Sequence, residues 1–314
     1  MSIGIPYQGS KRKIAKPIVD YIQMHNPNGV YLYDLFGGGG AISFEALKRK
    51  HFKGVFYNEF NTGVVELLKH IRTQGITPKM YEWVDRETFE KHKNDNDWYG
   101  GFLKTCWSFG NNQRSYLFGK EIEEDKRLLH EVVVNKCGVS RLEFLKKFDI
   151  NLEILKTENI FNRKINIQNQ LKKIHTETQR LDLDKIGARK QTICQQLNTL
   201  QQLEQLQQLE QLQQLEITNL SYEQVPITTP IEQTIIYCDP PYKGTAKYAK
   251  DINHEQFYNW VRNSPYKIYV SSYEFDLPMV MQLEHRSTLS ATANNKVIEK
   301  LFCNQQEKIK LTLF

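Results

Sequence analysis

An α/β fold built on a doubly wound, Rossmann-like sheet is predicted by three segments. In the first, the β-type run Val30-Tyr31-Leu32-Tyr33 meets the glycine corner Asp34-Leu35-Phe36-Gly37-Gly38-Gly39-Gly40, and residues 41–47 follow with helical periodicity. Strand, glycine corner and helix in that order open a nucleotide-binding unit, because glycines accept positive φ and let backbone approach a ligand. In the second, residues 54–61, Glu59 falls at a strand end about twenty residues past the glycines, where an acid takes ribose hydroxyls. In the third, the apolar run Thr234-Ile235-Ile236-Tyr237-Cys238 ends in Asp239-Pro240-Pro241-Tyr242. The glycine spacing is not G-x-G-x-x-G, and the Lys-Ser/Thr of a P-loop is missing, so no pyrophosphate is implied.

The remaining elements follow from periodicity and breakers. Residues 13–24 place Ile14, Ile18, Tyr21 and Ile22 at helical spacing, with Pro17 tolerated near the first turn. Residues 62–72 carry a wide apolar face of Val64, Val65, Leu67, Leu68 and Ile71. Residues 81–93 form a polar helix candidate that Asn94-Asp95-Asn96-Asp97 and Gly100-Gly101 are expected to break. Residues 121–135 and 140–148 read as helices, and the joint Lys136-Cys137-Gly138-Val139 is loosely compatible with a helix-turn-helix. Further strands are expected near 235–238, 267–271, 282–285 and 310–314.

Residues 200–216 repeat Leu-Gln-Gln-Leu-Glu-Gln, with leucine at 200, 203, 206, 209, 212 and 215. A period of three fits neither a strand nor a coiled coil, and on an α-helix it winds round the surface. Gln, Leu and Glu favour helix. Helix is expected, and the segment reads as a spacer or oligomerisation arm or, as preferred, a tandem expansion that the fold tolerates in a loop before the next strand. The pattern divides the chain into an α/β part over 1–75 and 217–314, a helical region over 76–190, and the spacer over 191–216.

Composition sets the class. The chain has 314 residues, 40% hydrophobic and 25% charged, as in a soluble globular protein. No run of eighteen apolar residues is present and the N-terminus lacks a secretory h-region, so a cytoplasmic protein with no membrane partner is expected. The five scattered cysteines read as reduced thiols, and the eight scattered histidines suggest no metal site. Residues 101–190 hold 18 Lys and Arg against 12 Asp and Glu, an excess equal to the whole net charge of +6. Trp107, Asn111, Asn112, Arg114 and Tyr116 accompany that charge. Cations bind phosphates, and Arg and Asn read base edges, so these five are the candidate nucleic-acid contacts; an ordinary solvated helical surface is the plainer alternative.

The Asp239-Pro240-Pro241-Tyr242 corner has its own chemistry. Asp239 offers carboxylate acceptors, and the Pro240 carbonyl can enter a site with no N–H of its own beside it. The prolines stiffen the turn, and Tyr242 supplies a flat face. Such a corner can hold a planar exocyclic amine, although Pro-Pro also simply ends strands. Phe36-x-Gly38-x-Gly40 followed by this corner resembles the DNA adenine-N6 methyltransferases, in particular the group of the bacterial GATC adenine methylase. The opening Ile5-Pro6-Tyr7-Gln8-Gly9-Ser10-Lys11-Arg12 is similar to that group's cofactor-binding start. The likeness is strong over 1–75 and 217–314 and weak between.

The resemblance implies a Rossmann-like methyltransferase sheet with an inserted helical target-recognition region, and S-adenosylmethionine as cofactor. Tyr7, Lys11, Asp34, Phe36, Gly38, Gly40, Glu59, Asn61, Ser221, Tyr222 and Asp239 would bind it. Ser221 departs from the family, which often has an acid there near the cofactor's adenine. The catalytic set would be Asp239, Pro240, Pro241 and Tyr242, acting on an adenine flipped out of double-stranded DNA. Cytosine-N4 methylation and an inactive DNA-binding scaffold are the alternatives; protein glutamine methyltransferases carry Asn where Asp239 stands. A monomer or weak dimer is expected, with a companion restriction endonuclease left open.

Overall fold

The computed structural model describes residues 4–7, 9–155, 157–190, 192–241, 252–286 and 296–305. Among these residues seven strands form one sheet: β1 (Tyr31–Asp34), β2 (Gly54–Asn58), β3 (Leu215–Thr218), β4 (Thr234–Cys238), β5 (Lys267–Ser272), β6 (Met279–Arg286) and β7 (Lys296–Cys303). Their order is β3-β2-β1-β4-β5-β7-β6, parallel from β3 through β5, with β7 antiparallel to both β5 and β6. The strand order reverses between β1 and β4, the switch point at which ligands bind in open α/β sheets.

Both faces of the sheet are covered, as its apolar strands require. Along β4, Ile235 and Tyr237 join one core, while Ile236 and Cys238 join the other. On the first face α1 (Ala15–His25), α2 (Ala41–Leu47) and α3 (Thr62–Gln74) supply Ile18, Phe44 and Leu68. A helical region follows: α4 (Arg86–His92), α5 (Trp98–Cys106), α6 (Glu123–Val134), α7 (Gly138–Phe148), α8 (Ile160–Thr178), α9 (Leu181–Lys185) and α10 (Gln195–Gln207). The second face is closed by α11 (His254–Asn263) through Phe257 and Val261.

Several expected boundaries move for local reasons. The helix expected from residue 81 starts at Arg86, because Asp85 caps it by accepting from the Thr88 N–H at 2.7 Å. The Asn/Asp run and Gly100-Gly101 do not stay irregular. Asp97 caps α5 by accepting from the Gly100 N–H at 2.8 Å, and the two glycines form its first turn, where Gly101 meets the backbone of Gly63 on α3. The expected helix–turn–helix pair is present as α6 and α7, joined through Lys136 at φ 53°. Strands β3 and β7 were not anticipated, and the strand expected near 310–314 lies outside the described residues.

The leucine repeat is packed, not slack. Leu200, Leu203, Leu206, Leu212 and Leu215 are each at most 2% exposed, and Leu209 packs half-buried against the same core. The chain changes conformation beneath the constant period. On α10 the leucines do wind round the helix, but α10 packs against α3 and α5 and so buries a wide arc. A 3₁₀ turn, Glu210–Gln214, then takes over, and at three residues per turn Leu209, Leu212 and Leu215 fall on one face. Leu215 opens β3. The polar residues are specific too. Gln202 accepts from Arg12, and Glu204 accepts from Tyr81. Gln207 accepts from the Ile76 N–H at 3.1 Å, and Gln213 donates to the Arg72 carbonyl at 2.9 Å. Removing one unit, residues 206–211, is therefore expected to strip buried leucines from the core and drag β3 out of register. Soluble yield and thermal melting check this: deletion should lower the melting point by roughly 5 °C or more, as a loss of 2–5 kcal/mol per buried leucine requires.

Candidate active site

The site gathers at the carboxyl ends of β1, β2 and β4, which parallel pairing sets side by side. After β1 the chain turns through its glycines. Gly38 and Gly40 take positive φ (49° and 73°), and a Cβ on Gly40 would strike the Phe44 ring of α2. The Gly38 N–H donates to Glu59 Oε2 at 2.7 Å, and its carbonyl accepts from the Tyr57 hydroxyl at 2.7 Å. Ile5 donates its N–H to the Gly39 carbonyl at 2.8 Å, which lays the N-terminal segment along the corner and sets Tyr7 over Gly38. Phe36 stacks on Tyr222 with ring centroids 5.4 Å apart.

Glu59 is buried and braced by backbone: besides Gly38, the Asn61 N–H donates to its Oε1 at 2.8 Å. Burial pushes its carboxyl up, while N–H groups of Asn61, Gly38 and Phe60 pull it back. Two bonds leave acceptor capacity on both oxygens for hydroxyl donors. Asn61 turns its side chain away, donating to Gln113 Oε1 at 2.9 Å in the loop after α5. Asn58 clamps the strand ends from below, donating to the carbonyls of Leu35 and Leu220 at 3.0 Å each. Ser221 and Tyr222 follow directly, Ser221 half-buried and Tyr222 in the second core.

Asp34 ends β1 at 1% exposure. Its Oδ2 accepts from the Ser43 hydroxyl at 2.7 Å, and Oδ1 meets no protein donor among the described residues. Desolvation, with smaller contributions from the charges of Asp239 and Glu59, pushes this carboxyl up to about 7 against the pull of Ser43. Asp239 is 19% exposed and pairs with Lys11, whose Nζ lies 2.9 Å from its Oδ1. Pro240 is buried and Pro241 half-buried; Tyr242 lies outside the described residues. Sequence reasoning missed Glu299 of β7, whose Oε1 lies 3.5 Å from the same Lys11 ammonium. The signal was an acid in the alternating stretch Glu299-Lys300-Leu301-Phe302-Cys303, which had not been read as a strand.

The candidate nucleic-acid residues divide. Trp107 and Tyr116 are 1% and 5% exposed, with planes 7° apart, Trp107 set edge-on against Trp83, and the Tyr116 hydroxyl on the Val84 carbonyl. They are core residues, which corrects the expectation that their rings face nucleic acid; large aromatics in a basic segment were needed to close an apolar core. Asn111 donates to the Thr105 carbonyl, and Asn112 accepts from the Arg114 and Ser115 N–H groups, so both shape the loop. Of the five, Arg114 alone is exposed, beside a 65% exposed Phe109. The loop bends through Gly110, Asn111 and Gln113, all at positive φ.

The description of the D12 class N6 adenine-specific DNA methyltransferases matches residues 7–260, and the chain belongs to this family. It is thus an adenine-specific DNA methyltransferase, in place of the cytosine-N4 and scaffold alternatives. No curated protein matches the chain.

Asp34 gives the site a pH signature. Its folded pKa stands above the unfolded one, so the folded chain holds the extra proton between about pH 4 and 7, and stability falls as pH rises through that window. At about 1.4 kcal/mol per pKa unit, ionising it in the free chain costs on the order of 4 kcal/mol. Asp34→Asn is expected to remove that slope. Urea unfolding of both proteins at pH 5 and pH 8 checks it: the variant should gain on the wild type by about 1 kcal/mol or more at the higher pH.

Proposed function

We propose that this enzyme takes a methyl group from S-adenosylmethionine to N6 of an adenine flipped out of duplex DNA, at a specific site. The observation that carries the reading is the meeting of Asp34, Glu59 and Asp239 beside the glycine corner, where Gly38 donates to Glu59 and both other acids act on Asp34. Three carboxylates with Lys11 beside one of them suit a ligand that is cationic where it touches them. S-adenosylmethionine supplies an electrophilic methyl on a sulfonium centre and carries an ammonium as well. The residues fit it: the Oδ1 of Asp34 awaits a donor, Gly38 and Gly40 take the positive φ that turns the chain beside it, and Glu59 keeps lone pairs for ribose hydroxyls. Tyr7, Lys11, Phe36, Asn61, Ser221 and Tyr222 complete the proposed walls, with the Ser221 hydroxyl or nearby backbone meeting the adenine.

Adenine N6 is a poor nucleophile because its lone pair is delocalised into the ring. Asp239 and the Pro240 carbonyl are assigned the two N–H groups, which favours a more tetrahedral nitrogen. Pro241 stiffens that turn and Tyr242 stacks on the base. Holding the amine in line with the methyl is worth more here than any proton shuttle, since orientation removes the entropic part of the barrier. A base inside a duplex is out of reach of this crevice, so it must be extruded. Residues 76–190 are assigned to target recognition, with Arg114 and Phe109 on the loop that Gln113 ties to Asn61.

Asp239→Ala is expected to lower the rate of N6-methyladenine formation by about 100-fold or more while cofactor affinity changes little, since one such electrostatic contact supplies roughly 2.7–4 kcal/mol. Mass-spectrometric counting of methylated adenine with matched calorimetry checks this, and activity within about tenfold of wild type would overturn the assignment. Glu59→Ala is expected to weaken S-adenosylmethionine binding by about tenfold or more, because charge-assisted bonds contribute about 1.5–3 kcal/mol each. Unchanged affinity by calorimetry would place the ribose elsewhere.

A further inference from the structure

Glu299 sits on β7, two places along the sheet from β4, yet it reaches the ammonium that Asp239 holds. Lys11 Nζ lies 2.9 Å from Asp239 Oδ1 and 3.5 Å from Glu299 Oε1. Lys11 is 8% exposed and Glu299 4%. The three charges thus share a largely dry space, where attraction and repulsion are several times stronger than in water. Glu299 occupies the strand face that next carries Leu301 and Cys303, both in the apolar core. An acid buried on such a face is costly unless it is compensated, and one partner here is a lysine shared with the proposed amine acceptor. Neither the glycine corner nor the Asp-Pro-Pro turn includes Glu299, so the family's motifs leave it unassigned.

We propose that Glu299 is a positioning residue for methyl transfer: it shares the Lys11 ammonium so that Asp239 keeps its acceptor strength for the target amine. The proposal rests on the reading of Asp239 as that acceptor. A lysine held by Asp239 alone lowers the electron density on both carboxylate oxygens and competes with the amine for their lone pairs. An ammonium has three donors and can serve two carboxylates at once. As the amine arrives at Asp239, Glu299 gives Lys11 a second acid to lean towards without leaving the dry space. The trio then carries one net negative charge, and that charge faces the amine.

The test uses the full chain. Glu299→Gln keeps the size of the side chain and removes its charge. Single-turnover methyl transfer at saturating DNA and cofactor is expected to slow by about tenfold or more, with the cofactor dissociation constant within about threefold of wild type. Lys11→Met and the double variant complete a cycle. If Glu299 acts through Lys11, then in the Lys11→Met background the glutamine changes the rate by less than about threefold, whereas a structural role slows both backgrounds alike. Glu299→Asp, which keeps the charge, is expected to recover part of the lost rate, and it carries the same cycle if the glutamine variant proves insoluble. Equal losses in both backgrounds, no loss from Glu299→Gln, or an aspartate variant as slow as the glutamine one would overturn the proposal. Asp239→Ala measured alongside separates the two readings. An active Asp239→Ala removes the amine assignment itself, while an inactive one beside a normal Glu299→Gln removes only the role of Glu299.

Discussion

β1 pairs in parallel with β2 on one side and with β4 on the other, and every part of the site depends on that double pairing. The register sets Asp34 opposite Tyr57 and Tyr237, so the residues that follow all three strands emerge at one level. Glu59 is then one residue beyond β2 and Asp239 one beyond β4. A sheet in which β1 lay at an edge would set Asp34 a further strand width of about 4.8 Å from one of the other two acids. The polar clamp of Asn58 and the Tyr57 hydroxyl hold the ends at that level after the ladder stops.

Bringing three carboxylates to one level has an electrostatic cost that the fold meets in three ways. Glu59 is stabilised by backbone N–H groups, the usual device for a buried acid. Asp239 has the Lys11 ammonium. Among the described residues Asp34 has the hydroxyl and the backbone N–H of Ser43, and it responds by holding its proton to near neutrality. The free chain is therefore strained electrostatically at the place where the proposed ligand brings positive charge. Strain of this kind at a site, compensated on binding, is how local rules come to be broken where function lies.

Much of this architecture was legible in the chain. The order of strand, glycines, helix, strand and acid over the first 75 residues recurs in the structure, and so does the strand that leads to Asp239, because both rest on short-range patterns of backbone conformation and burial. What escaped was long-range. Trp107 and Tyr116 look alike in sequence whether they stack on a base or on each other, and only tertiary packing decides. Glu299 is marked by nothing but its burial, which depends on β7 folding back between β5 and β6. Glycines at 100 and 101 read as breakers, yet a capping aspartate and a close helix neighbour outweigh their poor propensity.

The hexapeptide repeat also changes how variation along this chain should be viewed. Identical units occupy an α-helix, a 3₁₀ turn and the lead into a strand, so context rather than composition dictates their shape. Repeated stretches commonly gain and lose whole units as genes are copied, and elsewhere such changes fall in linkers that absorb them. Here each unit has its own seat in α10, the 3₁₀ turn or the start of β3, so a change of copy number displaces packed leucines. An exchange of Gln for Glu at an exposed position such as Gln208 leaves the seat filled, whereas one extra copy adds two leucines for which the core holds no place.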